Sequence, residues 1–250
     1  MEHKITLENI QKNDYFYEEA IKTLRTNIQF CGSGIKTIMF TSSIPNEGKS
    51  DTAFSLAQSF SSIGKKVLLI DADIRKSVLV KRYGIREKTN GLSQYLSGQK
   101  KQEEIIYSTN VENFYIILSG PYSPNPAELL EEPLFKKLLE DMRRDFDYVI
   151  IDTPPMANLI DGAIVGSLCD GAVLVIESGT VSYRLAQKVK SQLERSGCRI
   201  LGVVLSRIGV EQDRPYYKKY YGKYGRYKKY YEYSRYDKGS YYGPEEEKNA

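Results

Sequence analysis

Histidine is almost missing from this chain: His3 is the only one in 250 residues, and there is no tryptophan. That argues against histidine-based acid–base chemistry and histidine-ligated zinc. Only three cysteines occur, Cys31, Cys169 and Cys198, with no CxxC spacing. They fit ordinary thiols of a reducing compartment rather than a disulfide framework. No apolar run approaches the roughly 18–20 residues that span a bilayer, and no signal-peptide core follows the N-terminus. The chain is therefore expected to be cytoplasmic, and to reach the membrane only through a partner or its basic tail. An excess of either charge is nearly lacking too. The net charge is +4, and residues 211–250 hold 10 Lys/Arg against 7 Asp/Glu, which leaves about +1 for the rest. A globular nucleic-acid-binding face is not indicated.

The last absence is local. After Val210 there is no Val, Ile, Leu, Met or Phe. Without aliphatic side chains a segment cannot offset its ordering entropy, so residues 211–250 are expected to be a disordered, basic tail. What the tail has instead is tyrosine. Twelve lie between Tyr216 and Tyr242: Tyr216, Tyr217, Tyr220, Tyr221, Tyr224, Tyr227, Tyr230, Tyr231, Tyr233, Tyr236, Tyr241 and Tyr242. Such a tail supplies phenols that can enter a cleft, and at about 5–6 Å times the square root of its length it reaches a neighbouring subunit. The same composition also suits RNA or polyanion binding, because tyrosine stacks on bases and lysine contacts phosphates.

Upstream, continuous apolar strands alternate with helices. Strands are expected at 35–42, 66–71, 114–118, 148–152, 171–177 and 199–205. Helices are expected at 15–30 after Asn13-Asp14, from the 43–48 loop to about 63, at 90–98, at 126–144, and at 183–196. This pattern predicts an α/β domain over 15–210, a mostly parallel, twisted sheet with helices on both faces of the P-loop NTPase type. Residues 1–14 form an N-terminal extension. Ligands of such sheets bind beyond the carboxyl ends of the strands, where the charged motifs fall.

The first motif is Asn46-Glu47-Gly48-Lys49-Ser50 between a strand and a helix. A loop of this kind curls backbone N–H groups around phosphates at a helix N-terminus; the lysine reaches the β/γ-phosphates and the serine binds magnesium. Asn46 stands where glycine is usual and is the residue that best replaces it at positive φ. Asp51 is unexpected, because a carboxylate near the α-phosphate repels it unless it points away or binds a basic neighbour. The second motif, Ile150-Ile151-Asp152-Thr153-Pro154-Pro155, is an apolar strand ending in an acid that can hold magnesium. The third, Leu69-Ile70-Asp71-Ala72-Asp73-Ile74-Arg75, places two carboxylates two residues apart. One can accept the proton of an incoming hydroxyl while the other supports the metal, and Arg75 can neutralise phosphate charge. A helix cap plus a surface acid is the alternative for Asp71 and Asp73.

Together these stretches resemble the bacterial protein-tyrosine kinases (BY-kinases). TSSIPNEGKS is similar to their Walker A, LLIDADIRK to Walker A′ and VIIDTPP to Walker B; GPYSPNPAELL, EEAIKTLRTNI and the tyrosine cluster extend the likeness over residues 15–242. The chain resembles in particular the soluble catalytic half found in Gram-positive capsule and exopolysaccharide clusters. The resemblance implies an ATP- and Mg²⁺-dependent kinase that autophosphorylates its tyrosines in trans and regulates polysaccharide biosynthesis or export. It implies phosphate contacts from Lys49 within the Asn46–Asp51 loop, and magnesium held by Ser50, Asp152 and Asp73. Asp71 is the implied base and Arg75 a phosphate contact. A membrane-embedded activator, a chain-length determinant, is the implied partner, and polysaccharide-pathway enzymes are implied substrates. The family's Glu-x-x-Arg-x-x-Arg ring-association motif is matched by Glu19, Lys22 and Arg25, with Lys22 a departure. Ser206 stands where nucleotide-binding relatives often have a base-reading asparagine. The competing reading is a P-loop ATPase of the chromosome- or septum-positioning class, against which Ile44 stands where that class carries a signature lysine.

Overall fold

The computed structural model describes residues 3–10 and 14–208. The tail tyrosines Tyr216–Tyr242 lie outside the described residues. The described residues up to Arg207 make one compact unit. Its frame is an eight-stranded sheet of β1 (His3–Lys4), β2 (Thr37–Ser42), β3 (Val67–Asp71), β4 (Tyr107–Ser108), β5 (Phe114–Ile117), β6 (Tyr148–Asp152), β7 (Gly171–Glu177) and β8 (Ile200–Ser206). The spatial order is β1-β4-β5-β3-β6-β2-β7-β8. Every neighbouring pair is parallel except β4 with β5.

The central strands are continuous apolar runs because both of their faces are covered. Successive side chains point to opposite faces, and the core divides accordingly. Met39, Leu68, Ile70, Val149 and Ile151 pack on one side against Phe135, Leu138, Leu139 and Met142 of helix α6 (Pro133–Asp145) and Val189 and Leu193 of α8 (Tyr183–Arg195). Ile38, Phe40, Leu69 and Ile150 face the other side, against Phe54, Leu56 and Phe60 of α2 (Lys49–Ser61) and Ile28 of α1 (Tyr15–Phe30). Helix α1 begins where the sequence predicts, since the Asp14 carboxylate accepts the Tyr17 backbone N–H at 2.8 Å.

The single helix expected over 126–144 is instead two, α5 (Pro126–Glu131) and α6. Pro133 lacks a backbone donor and drives the residue before it out of the helical region; Glu132 sits at φ −59°, ψ 140°. Five short elements were not expected: β1, β4, α3 (Leu79–Arg82), a 3-10 turn (Gln102–Glu104) and α7 (Asp161–Ser167). α4 spans Leu92–Leu96, shorter than expected. Within the segment read as an extension, β1 lies on the sheet edge beside β4, and Ile5 and Leu7 are buried.

Candidate active site

Three strand ends and one helix start build the site. The 43–48 loop leaves β2 and enters α2, with Asn46 at φ 69° and Gly48 at φ 83°. Left-handed residues in such a turn form a concavity of backbone amides that suits an anion, and the helix N-terminus reinforces it. The asparagine-for-glycine reading of Asn46 therefore holds. The loop is braced from below by Glu47, which is 1% exposed. Its two carboxylate oxygens accept the backbone N–H groups of Ile44 at 2.7 Å and Glu177 at 3.1 Å, while its carbonyl accepts the Ser206 hydroxyl at 2.6 Å. Glu47 and Ser206 thus shape the loop rather than line it passively. Ser43, also in the loop, is fully buried, and its hydroxyl oxygen lacks a hydrogen-bond partner among the described residues. An orphaned hydroxyl beneath an anion-shaped loop fits a phosphate-binding role.

Asp71 and Asp152 end adjacent parallel strands in direct register, and the Asp152 carbonyl accepts the Ala72 N–H at 2.8 Å. Lys49 Nζ lies 2.5 Å from Asp152 Oδ1 and 3.1 Å from the Ser50 hydroxyl. Asp71 is 1% exposed; it accepts the Ser77 hydroxyl on Oδ2 and the Asp73 backbone N–H on Oδ1. Burial, and then the neighbouring Asp152 carboxylate, push the Asp71 acid up to about 7 against the lowering effect of the Ser77 hydroxyl. Burial raises Asp73 as well, opposed by the Lys76 backbone N–H that its Oδ1 accepts at 2.9 Å. Lys49, Ser50, Asp71, Asp73 and Asp152 therefore converge as the motifs imply.

Two expected residues prove to be tied elsewhere. Arg75 forks onto Asp161, with Nε 2.7 Å from Oδ2 and Nη2 3.0 Å from Oδ1; Asp161 is fully buried at the start of α7. Its guanidinium still borders the cleft, but a fixed carboxylate holds its direction. Asp51 does bind a basic neighbour: Arg82 Nη1 lies 2.5 Å from its Oδ1. Ser77, Arg82 and Asp161 were not singled out in the sequence. Their partners stand 6, 31 and 86 residues away, and no local pattern marks such pairs.

The loop and the residues that follow the acidic strand ends enclose a cleft of about 300 Å³, bordered by Lys49, Ser50, Asp73, Arg75, Pro154 and Arg207 among others. The three residues of the association motif lie apart, on α1. Lys22 pairs with Glu19 within the helix at 2.8 Å. Arg25 turns inward and donates to the Ser59 carbonyl at 2.7 Å and hydroxyl at 3.0 Å, docking α1 on α2.

Comparison with known proteins places this geometry. Residues 35–195 match the family model of an AAA domain. The chain is 42% identical over 220 residues to the tyrosine-protein kinase CpsD of Streptococcus pneumoniae, covering 87% of this chain and 97% of that protein. It is 39% identical over 206 residues to the tyrosine-protein kinase YwqD of Bacillus subtilis, covering 82% and 86%. Among solved structures, the kinase domain of the Escherichia coli tyrosine kinase ETK superposes with a TM-score of 0.72 at 31% identity, covering 77% of each chain. Curated relatives this similar over most of their length decide against the positioning-ATPase reading: the chain belongs to the bacterial protein-tyrosine kinases and is a protein-tyrosine kinase.

Proposed function

We propose that the chain moves the terminal phosphate of ATP onto the tyrosines of its own C-terminal cluster, presented by another copy, and that this controls the making or export of a capsular or extracellular polysaccharide. The observation that carries the reading is geometric: Asp71, a buried carboxylate, ends its strand in direct register with Asp152, which pairs with Lys49 of the phosphate loop; burial pushes the Asp71 acid up to about 7. A base with its pKa near the working pH is ionised in about half of the molecules and still takes a proton readily.

In the transfer, the phenol gives its proton to Asp71 as its oxygen bonds to the γ-phosphorus. The bond from that phosphorus to the β–γ bridging oxygen breaks, and its electron pair leaves with ADP. The loop amides and Lys49 hold the phosphates, for which Lys49 gives up Asp152. Freed, Asp152 joins Ser50 and Asp73 as the residues that would hold magnesium. Bound there, magnesium supplies charge neutralisation on the phosphates. Among the described residues no group of three or more His, Cys, Asp and Glu side chains forms a metal cage. That fits an ion sharing its ligands with phosphate oxygens and water. Arg75, aimed by Asp161, adds positive charge at the cleft edge.

The same reading includes a membrane-embedded activator and self-association through the α1 motif, in which Glu19 and Lys22 face a second copy while Arg25, held on Ser59, fixes the helix that presents them, with work at the inner face of the membrane. No described helix is long and apolar enough to cross a bilayer; in this reading the activator supplies the membrane contact. Polysaccharide-pathway enzymes are the external substrates. Transfer between copies is tested by mixing the parent chain with a mass-tagged Lys49→Met chain and Mg·ATP. Phosphate on the tagged, inactive chain supports transfer in trans; phosphate confined to the parent chain contradicts it.

A further inference from the structure

Asp51 is the third residue of α2, next to Ser50 and in the first turn of the helix that carries the phosphate loop. A carboxylate near a helix N-terminus gains from the helix dipole, but here it competes for that field with the phosphates the loop is shaped to hold. The structure supplies a counter-charge from a different element. Arg82 closes the short helix α3, which follows the Asp71–Arg75 stretch, and its guanidinium reaches Asp51 at 2.5 Å. Both side chains border the phosphate cleft, and both also border a second cavity of about 230 Å³ lined by Tyr17, Phe54 and Tyr83. The ion pair is thus a wall between the two. Its side chains are 36% and 47% exposed, and a bridge so open to water adds little to stability. What it changes is the charge that a ligand in the cleft meets.

We propose that Arg82 is a positioning residue of the nucleotide site: by holding the Asp51 carboxylate it cancels negative charge at the first turn of α2, and so sets the affinity for nucleoside phosphates. The inference rests on the reading of the cleft as the nucleotide site. Arg82 takes no part in the transfer; its effect passes through Asp51. Losing the arginine alone leaves a carboxylate beside the phosphates, whereas losing both members restores a neutral wall.

The experiment is a double-mutant cycle on the full chain, read by fluorescent Mg·ADP binding and by ATP-dependent kinetics. Arg82→Gln weakens Mg·ADP about tenfold, and the loss falls on KM for ATP rather than on kcat. Asp51→Asn tightens binding, and the double variant returns to within about threefold of the parent. Thermal melting accompanies each variant, and the exposed pair leaves the midpoints close together. Unweakened binding in Arg82→Gln overturns the proposal. So does a loss that Asp51→Asn fails to rescue, because Arg82 would then act on the phosphates directly or through the fold. A parent chain that bound no nucleotide would overturn the reading of the cleft itself, and this inference with it.

Discussion

Asp71 is held by the Ser77 hydroxyl and the Asp73 N–H, beside Asp152 and out of water, and its acid is raised from 3.8 to about 7. The folded state therefore keeps a proton that the unfolded chain has already released. The stability this contributes is complete below about pH 4 and is lost as pH rises through about 7. Without nucleotide, the chain should melt at lower temperature at pH 8 than at pH 6, and Asp71→Asn should flatten that dependence; scanning calorimetry across the range checks it. Lys49 stands opposite in sign. Lys49→Met leaves the Asp152 carboxylate, 2% exposed, without its ammonium, and so should abolish tyrosine labelling and lower the melting temperature together. These residues were legible in the sequence because each ends an apolar strand or fills a fixed place in a loop. The partners that aim them were not: Asp161 lies 86 residues from Arg75, and nothing local links the two.

At the scale of elements, the strands were legible because burial on both faces leaves an apolar run that no surface element shows. The edge was not. β1 and β4 are two residues each, too short for any periodicity to register. The break between α5 and α6 was available in Pro133 and was obscured by the apolar spacing that continues across it. One close contact is invisible in sequence and strict in space. The start of α4 packs against the end of β5, where Leu92 N–H donates to the Leu118 carbonyl at 2.7 Å and Ser93 N–H to the Ser119 carbonyl at 2.9 Å. A Cβ on Gly91 would fall 2.1 Å from the Gly120 nitrogen and 2.6 Å from the Leu118 oxygen. Both are backbone atoms that cannot step aside. Gly91→Ala should therefore destabilise the chain by about 3 kcal/mol or more, measured by urea unfolding. Arg25→Ala should cost about 1–3 kcal/mol by the same measure, because α1 loses its anchor to Ser59.

For the whole molecule, charge is the quantity that changes most on modification. Residues 211–250 carry a net +3, and each phosphotyrosine adds about −1.5 to −2 charges, so three modifications reverse the sign. A basic segment then becomes an acidic one, which acidic surfaces repel. Light scattering should report a smaller mass in solution for the many-site phosphorylated chain than for the unmodified one; equal masses would contradict the link between phosphorylation and assembly.

The central claim, that this cleft phosphorylates the tyrosines of its own chain, is tested most directly by intact-mass spectrometry after incubation with Mg·ATP, followed by peptide mapping. The account predicts mass steps of one phosphate each, mapped to Tyr216–Tyr242 and absent from the Lys49→Met chain. Steps that persist in Lys49→Met, or that map outside the tyrosine cluster, would contradict it.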